Sequence, residues 1–114
     1  MPIYALSTGP GVSGVAVTRL SGKGTIEVIK KISGKTLPKA RVATIRKFYK
    51  SDNKDLIDEG ILIWFPGPES YTGEDMAEFH VHGSKAVVDA LHESLSKIEG
   101  CRLAEPGEFT KIAF

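Results

Sequence analysis

The chain has 114 residues, 41% of them apolar and 25% charged, and its 15 Lys and Arg against 14 Asp and Glu leave a net charge of only +1. That composition excludes a disordered tail and a uniformly basic nucleic-acid binder, and the length suits one domain with its own core. The balance conceals an asymmetry: residues 1–54 carry 11 basic side chains against Glu27 and Asp52, a net of +9, and the other 60 carry four basic and twelve acidic, a net of −8. The single Cys101 excludes an internal disulfide and a cysteine-based metal site. The longest apolar run, Ile61 to Phe65, stops at Pro66, far short of the roughly 20 residues of a membrane helix. No basic segment precedes an apolar one at the N-terminus, so no secretory signal is visible.

In chain order, Ile3 to Ser7 is a short apolar segment that runs into the glycine-rich stretch Gly9 to Gly14. The β-branched run Val15 to Leu20 predicts a strand. Thr25 to Ile32 reads as a helix, with Ile26, Ile29 and Ile32 on one face, Thr25 as N-cap and Gly34 placed to end it. Lys30 and Lys31 in its last turn suit the helix dipole. Arg41 to Tyr49 alternates as a strand. The polar turn Ser51 to Asp55 leads to Ile61 to Phe65, whose unbroken apolar character predicts a strand buried on both faces.

Pro66 to Glu74 then forms a nine-residue loop, longer than the usual connection of about 4 to 6, and loops of that length often carry function. Asp75 to His82 alternates again and sets Met76, Glu78, His80 and His82 on one face. Ser84 to Ile98 is the clearest helix, its stripe formed by Val87, Val88, Leu91, Leu95 and Ile98. Arg102 to Ala104 fits a short edge strand. Pro106 stands where a last helix begins, and that helix has no stop signal before Phe114, so it reads as a truncated element. Strands that interleave irregularly with helices make the fold class α+β, with a mixed sheet and helices packed on it.

Several apparent motifs lack the context their chemistry needs. Gly9, Gly11 and Gly14 satisfy G-x-G-x-x-G, but a dinucleotide site needs a helix after the glycines, and here a strand follows. Gly22-Lys23-Gly24-Thr25 lacks the earlier glycine of a phosphate loop, since that position is Val17, and has Gly24 after the lysine in place of Ser or Thr. Glu78, His80 and His82 invite a metal reading, yet no fourth ligand is in view, and alternating polar residues also mark a solvated or ligand-facing side of a strand. Arg19 ends a strand of small and apolar residues. Glu78 in mid-strand needs solvent or a partner, because burying a carboxylate unpaired is costly.

Four blocks taken together, Gly11 to Gly22, Trp64 to Asp75, Glu78 to Gly83 and Ala104 to Phe109, resemble the N-terminal domain of the tRNA modification GTPases of the MnmE (TrmE) type. The resemblance runs in order along nearly the whole chain, and Trp64-Phe65-Pro66-Gly67-Pro68-Glu69-Ser70-Tyr71-Thr72-Gly73-Glu74-Asp75 is its most specific part. It implies a single domain over residues 1–114, similar to the folate-binding unit of glycine-cleavage aminomethyltransferases. Such a domain binds a formyl- or methylene-tetrahydrofolate derivative and homodimerises.

The GTPase domain that uses GTP, Mg and K is absent from this chain, and no catalytic residue is expected in it. In the complete protein the resemblance implies work with the flavoprotein MnmG (GidA) on the wobble uridine of tRNA, in the cytoplasm and away from membranes. It carries folate contacts to Arg19 and Glu78, and more weakly to Gly11, Gly14, His82 and Gly83. Glu78 suits the amide N–H and exocyclic amine of a reduced pterin, which a carboxylate accepts bidentately. Arg19 suits either the acceptors of the pterin or the anionic tail.

Val12 and Ile112 stand where the family commonly has basic residues, and a further family lysine lies just past Phe114. These departures motivate a rival reading, a structural dimerisation module whose folate pocket has decayed. A metal-dependent hydrolase built on Glu78, His80 and His82 is the third.

Overall fold

The computed structural model describes residues 2–7, 14–34 and 36–113. The strands are β1 (Ile3–Leu6), β2 (Val15–Ser21), β3 (Thr44–Tyr49), β4 (Leu56–Phe65), β5 (Met76–His82) and β6 (Arg102–Leu103); the helices are α1 (Thr25–Ser33), α2 (Lys85–Ser96) and α3 (Glu108–Ala113). They form an α+β fold around one mixed sheet in the order β3-β4-β5-β2-β1-β6. Neighbours are antiparallel except β6, which runs parallel to β1.

Strand alternation divides the sheet into two unlike faces. On one, Phe48, Leu62, Trp64, Ala77, Phe79, Val81, Ala16 and Leu20 are buried together with Val28, Ile29 and Ile32 of α1 and Leu91 and Leu95 of α2. Phe48 and Phe79 meet edge to face at 5.4 Å in its centre. The opposite face, which presents Val17, Arg19, Ile61, Ile63, Phe65, Glu78 and His80, is only partly buried.

β4 is therefore not buried on both faces as its apolar run predicts: Leu62 and Trp64 are buried while Ile61, Ile63 and Phe65 keep partial exposure. β4 is also five residues longer than that run. Asp58, Glu59 and Gly60 interrupt the apolar pattern, but the ladder to β3 continues through them, with Arg46 opposite Gly60 and Lys47 opposite Glu59. A Cβ at Gly60 would lie 2.0 Å from the His80 carbonyl oxygen, so only glycine lets β4 lie this close to β5.

Local capping differs from the prediction in one place. The N-cap of α1 is Gly24 with φ 94°, not Thr25, whose hydroxyl instead donates to the carbonyls of Gly22 (2.7 Å) and Asp75 (3.3 Å). Gly34 closes the helix at φ 64° with its N–H on the Lys30 carbonyl, as its position predicts. β3 begins at Thr44 because Arg41, with φ 62°, leaves the extended region. Ser84 caps α2 by accepting from the Val87 N–H at 3.2 Å.

The charge halves do not become charge poles. β4 and β5 from the acidic half lie between β3 and β2 from the basic half. No described helix is long and apolar enough to cross a membrane. Burial pushes the Cys101 thiol up to about 11, which leaves it a packing residue.

Truncating Phe79, which has no exposed surface, removes the edge-to-face contact and the centre of the core. Phe79→Ala is expected to lower the urea unfolding free energy by about 3 to 5 kcal/mol. His92 on α2 supplies a pH test. It shares a hydrogen bond of 2.9 Å with the Thr18 hydroxyl and packs edge-on to Tyr4, and burial holds its pKa below the ordinary 6.5. The unfolded chain thus protonates first, so stability is full above 6.5 and falls as pH drops below it. Melting curves between neutral and mildly acidic pH should show that fall, and His92→Gln should flatten it.

Candidate functional site

The long ladder between β2 and β5 runs from Val15 opposite His82 to Ser21 opposite Met76, and it sets Arg19 opposite Glu78. Both side chains stand on the open face, since Leu20 and Thr18 beside Arg19, and Ala77 and Phe79 beside Glu78, all point into the core. Arg19 Nε donates to Glu78 Oε2 at 3.0 Å, with the arginine side chain 38% exposed and the carboxylate 16%. The carboxylate thus has the partner its mid-strand position demands. Among the described residues only the Nε of Arg19 is engaged, so its two terminal amino groups remain available as donors.

The loop after β4 builds a wall over this pair. The Gly67 N–H binds Asp75 Oδ1 at 2.9 Å, the Ser70 hydroxyl donates to the Glu74 carbonyl, and Thr72 shares a buried hydroxyl contact of 2.7 Å with Ser21 of β2. Arg41 reaches across to the Glu69 carbonyl. Pinned this way, the loop sets the Tyr71 ring 5.6 Å from the Arg19 guanidinium carbon, within cation–π range. Arg19, Phe65, Tyr71, Met76 and Glu78 line a cavity of about 300 Å³. It joins two aromatic walls and one thioether wall to a cation and an anion, the makeup of a small-molecule site. A larger cleft of 510 Å³ at the strand ends is walled by Gly22, Gly67 and Gly73 with Lys23, Glu74 and Asp75, and it has no aromatic surface.

The weaker candidates lie elsewhere. Gly83 donates its N–H to the Gly14 carbonyl at 3.2 Å, closing the far end of the same ladder. A Cβ on Gly14 would meet nothing within 4 Å, so bare backbone faces open space there. Gly11 and Val12 lie outside the described residues. His82 does not converge with Glu78: its Nδ1 and backbone N–H both bind the Asp58 carboxylate at 2.9 Å. Burial pushes the Asp58 carboxyl up, but the bonds from His82 outweigh it and hold it below the ordinary value.

His80 turns to Glu78, with Nε2 at 2.9 Å from Oε1. The three potential ligands on this strand face are thus divided between two carboxylate partnerships, and no group of three His, Cys, Asp or Glu among the described residues is placed to hold a metal. Ile112 is exposed on α3, away from this pocket's lining. The Ala104 to Phe109 block works as a clip: Glu108 binds Arg102 and accepts the Glu105 N–H at 2.9 Å.

The sequence singles out neither Tyr71 nor Phe65 as a site residue, and His80 only as a potential metal ligand. His80 was legible in part, since the alternation already places it beside Glu78. Tyr71 was not, because a loop residue's position depends on the Ser21–Thr72 contact across 51 residues.

A module with a ligand-sized polar pocket on an open sheet face is the class these features define. The family described as GTP-binding protein TrmE N-terminus matches residues 2–114, and the chain belongs to that family. It is 69% identical over its whole length to a tRNA modification GTPase MnmE of Pelagibacter ubique, covering 26% of that protein. Over 98% of its length it is 46% identical to the mitochondrial 5-taurinomethyluridine-[tRNA] synthase subunit GTPB3 of Danio rerio and 51% identical to an MnmE of Phenylobacterium zucineum. The chain spans about a quarter of the length of these relatives.

Arg19 is over a third exposed and its loss leaves His80 as a partner of Glu78, so Arg19→Ala is expected to cost about 1 kcal/mol or less in urea unfolding. A larger loss would mark the pair as a structural strut, not a site.

Proposed function

We propose that this domain binds a tetrahydrofolate derivative, formyl- or methylene-substituted, in the pocket of Arg19, Glu78 and Tyr71, and that it pairs two copies of the chain. The observation that carries the first part is the juxtaposition of Glu78 and Arg19, 3.0 Å apart beside an aromatic ring. A reduced pterin is flat and offers an amide N–H next to an amine. The spare lone pairs of the Glu78 carboxylate suit that donor pair, the free amino groups of Arg19 suit the ring carbonyl or a tail carboxylate, and Tyr71 and Phe65 suit the ring faces. The expected similarity to the folate-binding unit of aminomethyltransferases belongs to the same reading.

The second part rests on the sheet face that α1 and α2 leave uncovered. Val15 and Ile45 on it are 52% and 69% exposed, and Ile61, Ile63 and Phe65 lie between them. An apolar, partly open sheet face of this kind is what a second copy would bury. In the complete protein the domain would supply folate to the modification of a tRNA wobble uridine in the cytoplasm. GTP, Mg and K would act in a separate GTPase domain, and the flavoprotein MnmG would be the partner. The rival, a dimerisation module whose folate pocket has decayed, keeps a foothold in Val12 and Ile112.

Titration calorimetry with 5-formyltetrahydrofolate separates the two. Binding by the wild type, weakened at least about tenfold by Glu78→Ala, a loss of about 1.4 kcal/mol, is the expected result. No heat at millimolar ligand, with a dimer in the ultracentrifuge, would select the rival.

A further inference from the structure

Glu78 is held from both sides. Arg19 Nε meets Oε2 at 3.0 Å and His80 Nε2 meets Oε1 at 2.9 Å, so each carboxylate oxygen has one neighbour of its own. An ionised carboxylate only accepts hydrogen bonds, which puts the imidazole proton on Nε2 and leaves Nδ1 as the acceptor of the neutral ring. A single contact from Arg19 would leave the carboxylate free to rotate about its last bond. The second contact, from the opposite oxygen, removes that freedom.

The surroundings of His80 favour this role over that of a solvated strand residue. On β2 it faces Val17 and on β4 Ile61, both aliphatic, and its own side chain is only 26% exposed. The imidazole thus lies between apolar neighbours, with Glu78 as its polar partner among the described residues.

We infer that His80 is the positioning residue of the ligand site: it locks the plane of the Glu78 carboxylate so that the remaining lone pairs present one fixed orientation to a pair of adjacent N–H donors. This rests on the folate reading above. A preset carboxylate spares the ligand the ordering of a rotor, and it discriminates against heterocycles whose matching edge carries an acceptor in place of either N–H.

Two measurements on the 114-residue chain test it. Long-range 1H–15N correlation spectra at mildly alkaline pH should show neutral His80 as the Nε2–H tautomer in the wild type, and a mixture of tautomers in Glu78→Ala. Titration with 5-formyltetrahydrofolate should show His80→Leu weakened about tenfold with an unchanged melting temperature. His80→Gln, whose amide N–H reaches the same oxygen, should keep most of the wild-type affinity. An Nδ1–H tautomer in the wild type, wild-type affinity in His80→Leu, or equal losses in the Leu and Gln variants would each overturn the inference. A wild type that binds no folate would overturn the reading of the site instead, and the tautomer would then still decide whether His80 holds Glu78.

Discussion

The register between β2 and β5 is the constraint on which the rest depends. Because side chains alternate with period two, a slip of β2 by one residue would carry Arg19 to the helix-covered side, away from Glu78, and bring Thr18 out of it. The apolar core forbids that slip. Leu20, Ala77 and Phe79 have no exposed surface, and their packing under α1 and α2 sets the register that the polar pair merely inherits. The partly exposed ion pair is too weak to choose a register by itself. The division of labour follows: burial fixes the sheet, and the sheet fixes the site.

The second layer of the site is a loop held by its own polar groups. Residues 66–75 are anchored at Gly67, Ser70 and Thr72, and Thr72 reaches a buried hydroxyl on the strand that carries Arg19. That anchorage makes Tyr71 a wall of the pocket although the residue remains 48% exposed. A long connection is tolerated where its backbone groups find partners. Here those partners come from the loop itself and from β2, so the loop and Arg19 are positioned together.

The charge asymmetry acquires a different meaning in three dimensions. The strand order puts strands of the −8 half between strands of the +9 half. Opposite charges therefore meet across neighbouring strands: Arg19 with Glu78, and Lys47 opposite Glu59. The family to which the chain belongs was legible from four ordered blocks, but the blocks do not share one role. Three of them supply the pocket, through Arg19, through Phe65 and Tyr71, and through Glu78, and the last is a clip made by Glu108 and Arg102.

Local patterning by itself determined most of the elements, because period-two and 3.6-residue spacing report which face of a strand or helix is buried. The α2 stripe, the Gly34 stop, the strand from Met76 to His82 and the α+β class were all readable that way, and so was the common face of Glu78 and His80. What the pattern left undecided was every property that depends on a neighbour distant in sequence. The true length of β4 is hidden because its polar half is paired by β3 and admitted by Gly60, and its second face is open because no helix lies there. His82 leaves the row of Glu78 and His80 because Asp58, 24 residues earlier, binds its ring and its backbone. Tyr71 joins Arg19 through a hydroxyl contact that no local spacing encodes. A sequence specifies which groups an element presents, whereas partners across strands are chosen only when burial of the core brings those elements into register.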